Sequence, residues 1–259
     1  MRILLSKTFK ENLVTLLWFG GLLLFLSLKT GPPGTTGSLL GGALQYWQGH
    51  AAILFSALGH TLSVALPASV VILLISFSTA LLAANKPRLT SSLTAIIILI
   101  SLLPSVYLVH LVRIIHPLAQ VNSEAFAGGV LIFSNLVMYF FFLGFKKDIS
   151  DEFAKEYHFL ARQLGVKSKF RSSLQKLGLL GLERFLPLFI MVFSSTIFVE
   201  EKLNISGGIY TSLYDTVKSV NISSRPDIFW GKLLFILIFV VSLQFIYGII
   251  LNHVKTRYF

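Results

Sequence analysis

The chain has 259 residues, 54% of them hydrophobic and 13% charged, with a formal net charge of +11 and no cysteine. Soluble domains are about 25% charged, so half that share, with apolar runs of roughly 20 residues, excludes an ordinary soluble enzyme and sets the chain in the membrane class. The missing cysteines exclude disulfides and thiolate metal centres, and the excess Lys and Arg flank apolar runs, where they mark cytoplasmic span ends rather than a nucleic-acid surface.

The first apolar run is predicted as a span over about 12–29, preceded by Arg2, Lys7 and Lys10. No small-residue cleavage pattern follows it, so it reads as a retained helix rather than a secretion signal. The stretch 38–58 is apolar enough for an extra helix in the outer interface, with Tyr46 and Trp47 at headgroup level. Further spans are predicted at about 61–84, 91–115, 124–145, 183–200 and 229–252. Each is long enough to cross a hydrocarbon core of about 30 Å as a helix. Nothing alternates with the period of two that a barrel strand needs. Pro67 and Pro104 each remove a backbone hydrogen bond and predict a kink.

The expected fold is an all-α polytopic membrane protein of about six transmembrane helices, one domain over 1–259. Lys86, Arg88, Lys255, Arg257 and the basic segment 146–182 fall on one side with the N-terminal cations. That side, with both termini, is expected in the cytoplasm; segments 30–60 and 201–228 face outward.

Charge inside a span is costly and marks function. No Asp or Glu falls in the middle of a predicted span. Arg113 and Lys232 lie near span ends and are expected to snorkel to water. Glu183 and Arg184 sit at the start of the fifth span, and His60 and His110 read as neutral hydrogen-bonded groups. There is no phosphate-binding loop, no dinucleotide fingerprint, no G-x-S-x-G and no H-E-x-x-H. No catalytic residue and no metal ligand is expected, and any energy source must belong to another subunit.

One polar island, 146–176, interrupts the apolar text. Within it DEFAKEYHFLARQL places Phe153, Tyr157, Leu160, Ala161 and Leu164 at spacings of three and four, an apolar helical stripe. Asp148, Asp151 and Glu152 are expected at that helix's start, where carboxylates complement the dipole, and Gly165 at its end as a C-cap. The basic text VKSKFRSSLQK then resumes a helix. Two readings fit: a helix docked in a protein groove, or an amphipathic helix on the anionic inner leaflet, as in a membrane scaffold or anchor.

The island resembles the cytoplasmic loop of binding-protein-dependent ABC transporter permeases, in the dipeptide/oligopeptide/nickel branch, where E-Y-x-x-x-A-R-x-x-G recurs. Glu156, Tyr157, Ala161, Arg162 and Gly165 match it in register. Of the general signature E-A-A-x-x-x-G, only Ala161 and Gly165 match. Leu186-Pro187 is similar to the branch's L-P at the fifth span, but comes late, as an insertion around 177–182 would make it. Val199-Glu200, Gly207-Gly208, Leu213, Asp227 and Gly231 resemble the branch's outer stretch, and His60-Thr61-Leu62 the head of its T-L span. The resemblance covers about 55–255. It implies a type I importer permease whose Glu156, Tyr157, Leu160, Ala161, Arg162 and Gly165 grip an ATP-binding subunit. It further implies ATP and magnesium on that subunit, a second permease subunit, and an extracytoplasmic substrate-binding protein meeting Gly207, Gly208 and Asp227. The chain itself would carry no cofactor and sit in a bacterial inner membrane.

Overall fold

The computed structural model describes residues 10, 12–29, 37–85, 87–101, 114, 136–155, 163, 169–203, 207–209, 212–213 and 226–258. Six long helices hold most of them: α1 (Leu13–Leu28), α2 (Leu39–Asn85), α3 (Pro87–Ser101), α4 (Leu136–Phe153), α5 (Lys169–Leu203) and α6 (Pro226–Tyr258). Among the described residues there is no strand.

The helices run further than the apolar text. The segment expected as a separate interfacial helix, 38–58, and the second predicted span are one element, and much of the expected outer loop 30–60 is therefore helix. Ser38 starts it as an N-cap, its hydroxyl accepting the Gly41 N–H at 3.1 Å. The 47 residues of α2 are more than twice the roughly 20 that a helix needs to cross a hydrocarbon core of about 30 Å. The helix continues through Pro67, and α5 through Pro187. Leu177–Leu182 lies inside α5, so additional residues there add helical turns, not a loop. Pro104 lies outside the described residues.

Several hydroxyl side chains within these apolar helices bond to their own helix. Ser69 donates to the Ala65 carbonyl at 2.6 Å, Thr79 to Ile75 at 2.6 Å and Thr196 to Val192 at 2.8 Å. Such back-bonding lets a polar residue sit in lipid without an unpaired donor. Among the described residues three stretches are long and apolar enough to cross a membrane, Leu39–Ala84, Lys176–Glu200 and Pro226–Arg257, with Leu13–Leu28 a shorter apolar helix. Large apolar side chains such as Trp18 and Leu99 stay exposed, as lipid-facing surfaces require. The chain is an all-helical protein of the membrane class.

Two compact units divide the residues: Met1–Thr61 with Asn204–Phe259, and Leu62–Leu203. In the first, Leu26 of α1, Leu39 and Ala43 of α2 and Leu234 of α6 form a buried cluster, flanked by Phe19, Trp47 and Trp230. The Leu39 N–H donates to the Lys29 carbonyl at 2.9 Å, fastening the end of α1 to the start of α2. α2 and α6 approach closely at Gly231, where a side chain's first carbon would stand 3.0 Å from the Tyr46 ring and 3.3 Å from the Ala43 carbonyl. Trp47 Nε1 donates to the Gly231 carbonyl at 2.5 Å. Small residues permit this backbone approach, and the indole closes it.

In the second unit α4 packs against α3 and α5. It also meets the second half of α2: Phe77 and Phe145 stack edge to face at 5.4 Å, and the Ser76 hydroxyl donates to the Met138 carbonyl at 3.3 Å. Phe142, Phe145, Ile149, Leu188 and Val192 are wholly buried.

Candidate functional sites

The polar island is the first candidate, and its described part differs from the sequence expectation. Residues 146–153 continue α4, and 169–182 open α5. The helix expected to begin at Asp151 does not: Asp148, Asp151 and Glu152 end α4, and a turn follows at Ala154 and Lys155. Carboxylates at a helix C-terminus oppose the dipole. Cations brought in from elsewhere offset that cost. Arg184 donates to Asp148 through Nη2, and Glu152 accepts from Lys155 Nζ at 2.5 Å and faces Lys176 Nζ at 3.8 Å.

The pairs are nested, 148 with 184 and 152 with 176, so α4 and α5 run antiparallel as they approach the segment between them. Glu152 is only 7% exposed, whereas Lys155 and Lys176 are about half exposed. The carboxylate is thus the member that needs its partners, because an uncompensated buried charge is costly. Leu177 and Phe153 are buried beside these pairs in sequence. Arg184, expected at the start of the fifth span, is the sixteenth residue of α5 and lies against Gly144, where a β-carbon would stand 2.8 Å from its Nη1.

The residues that the resemblance assigns to an ATPase grip, Glu156, Tyr157, Leu160, Ala161, Arg162 and Gly165, lie outside the described residues. The structure describes the base from which that segment springs.

The second candidate lies in the other unit. A cavity of about 630 Å³ is lined by Tyr46 and Ser56 of α2, Gly207, Gly208, Ser212 and Lys232 of α6, with the apolar Ala52, Ile53 and Ala57 of α2. Gly207 and Gly208, named from the sequence as an outer contact, come together here. Asp227, named with them, is 2% exposed in the first turn of α6, five residues before Lys232, and is not in the lining. Its carboxylate suits that helix start. The Ile209 N–H donates to Thr61 Oγ1 at 3.0 Å, pinning the glycine segment to α2.

Lys232 corrects the expectation that it snorkels. The residue is 9% exposed, and its ammonium donates to the Ser212 carbonyl. Sequence reasoning missed it because its place near a span end gave it a plausible route to water.

Gly207 has φ +96°, a left-handed backbone that costs a side-chain-bearing residue about 1–2 kcal/mol. A β-carbon there would also touch His60 Cδ2 at 3.4 Å. Gly207→Val is therefore expected to lower the thermal midpoint of the detergent-purified protein, while Gly49→Val on α2, where a β-carbon meets nothing within 4 Å, lowers it less. Equal midpoints for the two would remove the strain argument.

Among the described residues no group of three or more His, Asp or Glu could hold a metal ion. The chain matches no known protein family, no curated protein and no solved structure.

Proposed function

We infer that this chain is the permease subunit of an ATP-driven importer of the type I ABC kind, carrying peptides or a related small solute, metal complexes included. In this reading it crosses a bacterial inner membrane six times with both ends of the chain in the cytoplasm, and the segment from Glu156 to Gly165 docks a separate ATPase. A second permease subunit and an external binding protein complete the assembly.

The observation that carries the reading is the clamp at the base of that segment. Asp148 with Arg184 and Glu152 with Lys176 tie the helix entering the segment to the helix leaving it. A loop that only adheres to lipid gains nothing from a stiff mount. A loop that receives motion from an ATPase needs one, because a compliant base would absorb the displacement before it reached the spans. The order of motifs in the sequence supports the same reading.

The test is made in native membranes with the tagged full chain. Ala161→Arg or Gly165→Val is expected to reduce co-purifying ATP hydrolysis by a P-loop protein about tenfold or more while membrane insertion is kept, since either change blocks close helix-in-groove contact. Unchanged hydrolysis would remove the ATPase assignment. No ATPase, with salt-sensitive binding of the chain to anionic vesicles, would support the anchor alternative.

A further inference from the structure

A second cavity, of about 330 Å³, lies between α2 and α6 and shares no lining residue with the one at Lys232. On α2 it is lined by Trp47, Ala51, Leu54, Phe55 and Leu58, which recur at spacings of three and four and so share one helix face. Phe235, Ile238, Phe239 and Ser242 do the same on α6. Leu54 and Leu58 are 4% and 5% exposed and make a buried floor, while Phe55, 62% exposed, stands at the rim. The space is therefore a cleft with depth, not a flat apolar face.

Its walls are held open. Phe235 meets the Phe55 ring edge to face at 5.0 Å and the Trp47 ring at 6.2 Å. Trp47 is fixed in turn by its hydrogen bond to the Gly231 carbonyl. Aromatic rings locked in this way do not close over an adjacent void.

The lining also states what the guest is. It carries no charged side chain and one hydroxyl, Ser242. The Trp47 N–H already serves Gly231 and recruits nothing else. Both helices belong to stretches apolar enough to cross a membrane, so the medium at the rim is hydrocarbon. A helix with its side chains is about 10–12 Å across, and a single 5.4 Å turn of it fills roughly 400–600 Å³. The cleft is too small for that turn of a neighbouring helix and wide enough for a thin, flexible chain. Such a chain restores the dispersion contacts that an empty cleft denies its walls.

We propose that this cleft holds one acyl chain of a phospholipid from the surrounding bilayer. The proposal needs only the membrane class of the chain and is independent of the transport reading. The full chain is reconstituted in nanodiscs of phosphatidylcholine carrying a photoreactive diazirine in the middle of one acyl chain. After irradiation the adducts are placed by peptide mass spectrometry. Trp18, 79% exposed on α1, reports contact with bulk lipid and normalises the yield. Adducts are expected on Leu54 or Leu58, which a chain lying over the surface does not reach.

Ala51→Phe with Ser242→Phe fills the cleft and is expected to lower those adducts about fivefold or more relative to Trp18. Ser242→Ala keeps the space and is expected to leave the ratio within about twofold, because the guest is hydrocarbon. No adduct on Leu54 or Leu58 in the parent chain overturns the proposal, and so does undiminished labelling of the filled variant. A loss in Ser242→Ala as large as in the filled variant overturns it as well, since it would assign the cleft to a polar guest. Should the filled variant fail to fold, Ala51→Leu is read by the same ratio, and no fall in it counts against the site.

Discussion

Gly231→Leu is expected to destabilise the protein in detergent by about 1–3 kcal/mol, although leucine is the better helix former. By intrinsic propensity the change gains close to 1 kcal/mol in a helix interior. At this position tertiary contact reverses the sign. The first added carbon stands 3.0 Å from the Tyr46 ring, which can turn a little, and 3.3 Å from the Ala43 carbonyl, which is backbone and cannot yield without moving α2. The rest of a leucine has no room in the same gap. Forcing extra carbons into a packed contact costs about 1–3 kcal/mol, and separating the helices also loses the Trp47 hydrogen bond to the Gly231 carbonyl, worth about 1 kcal/mol. The measurements are the fraction of monodisperse protein after extraction, its thermal midpoint, and a change in tryptophan emission. Gly49→Leu is the control: it lies on α2, and its β-carbon meets nothing within 4 Å. If the two variants behave alike, the close approach of α2 and α6 is not a determinant of stability.

The second large effect concerns the clamp. Asp148→Arg sets two guanidinium groups against each other where α4 meets α5, and is expected to destabilise the chain by about 2 kcal/mol. That lies between an exposed pair, worth about 1 or less, and a buried one, whose breaking costs about 3–5. The intermediate figure follows from exposure: the Asp148 side chain is 25% exposed and that of Arg184 38%. The reciprocal exchange, Asp148→Arg with Arg184→Asp, restores the attraction in reversed order and is expected to recover at least half of the loss. A cycle of the two single variants and the double variant measures the coupling directly. A double variant no more stable than the sum of its parts would show that the pair does not hold the helices together. Arg184 also rests against Gly144, so the recovery should be incomplete: the shorter aspartate leaves that contact empty.

These two positions also mark the limit of what is legible in the sequence. The sixth predicted span, 229–252, lies within α6, and the fifth, 183–200, within α5. Apolar text locates lipid-compatible helix well because the cost of an unsatisfied backbone in hydrocarbon leaves no other structure. It locates helix ends poorly. Outside the bilayer a helix can continue through polar text, as α4 does through KKDISDEF and α5 does from Lys169. Asp151 and Glu152 carry the charge pattern of a helix start and stand at the end of one. Local sequence could not tell the cases apart, because the cations that make the end tolerable, Lys176 and Arg184, lie on another helix.

The sequence by itself determined the membrane class, the helical fold and where its polar island falls, since each follows from composition and from a period carried by neighbouring residues. Only the tertiary structure decided which polar groups are buried and what they meet. Asp148 finds Arg184 across 36 residues, Ile209 finds Thr61 across 148, and Trp47 finds Gly231 across 184. The fate of Lys232 was settled in the same way. A position near a span end permits either a route to water or a turn inward, and packing between α2, α6 and the glycine segment chose the second. Burial and charge pairing are properties of surfaces brought together by the fold, and no window of adjacent residues contains them.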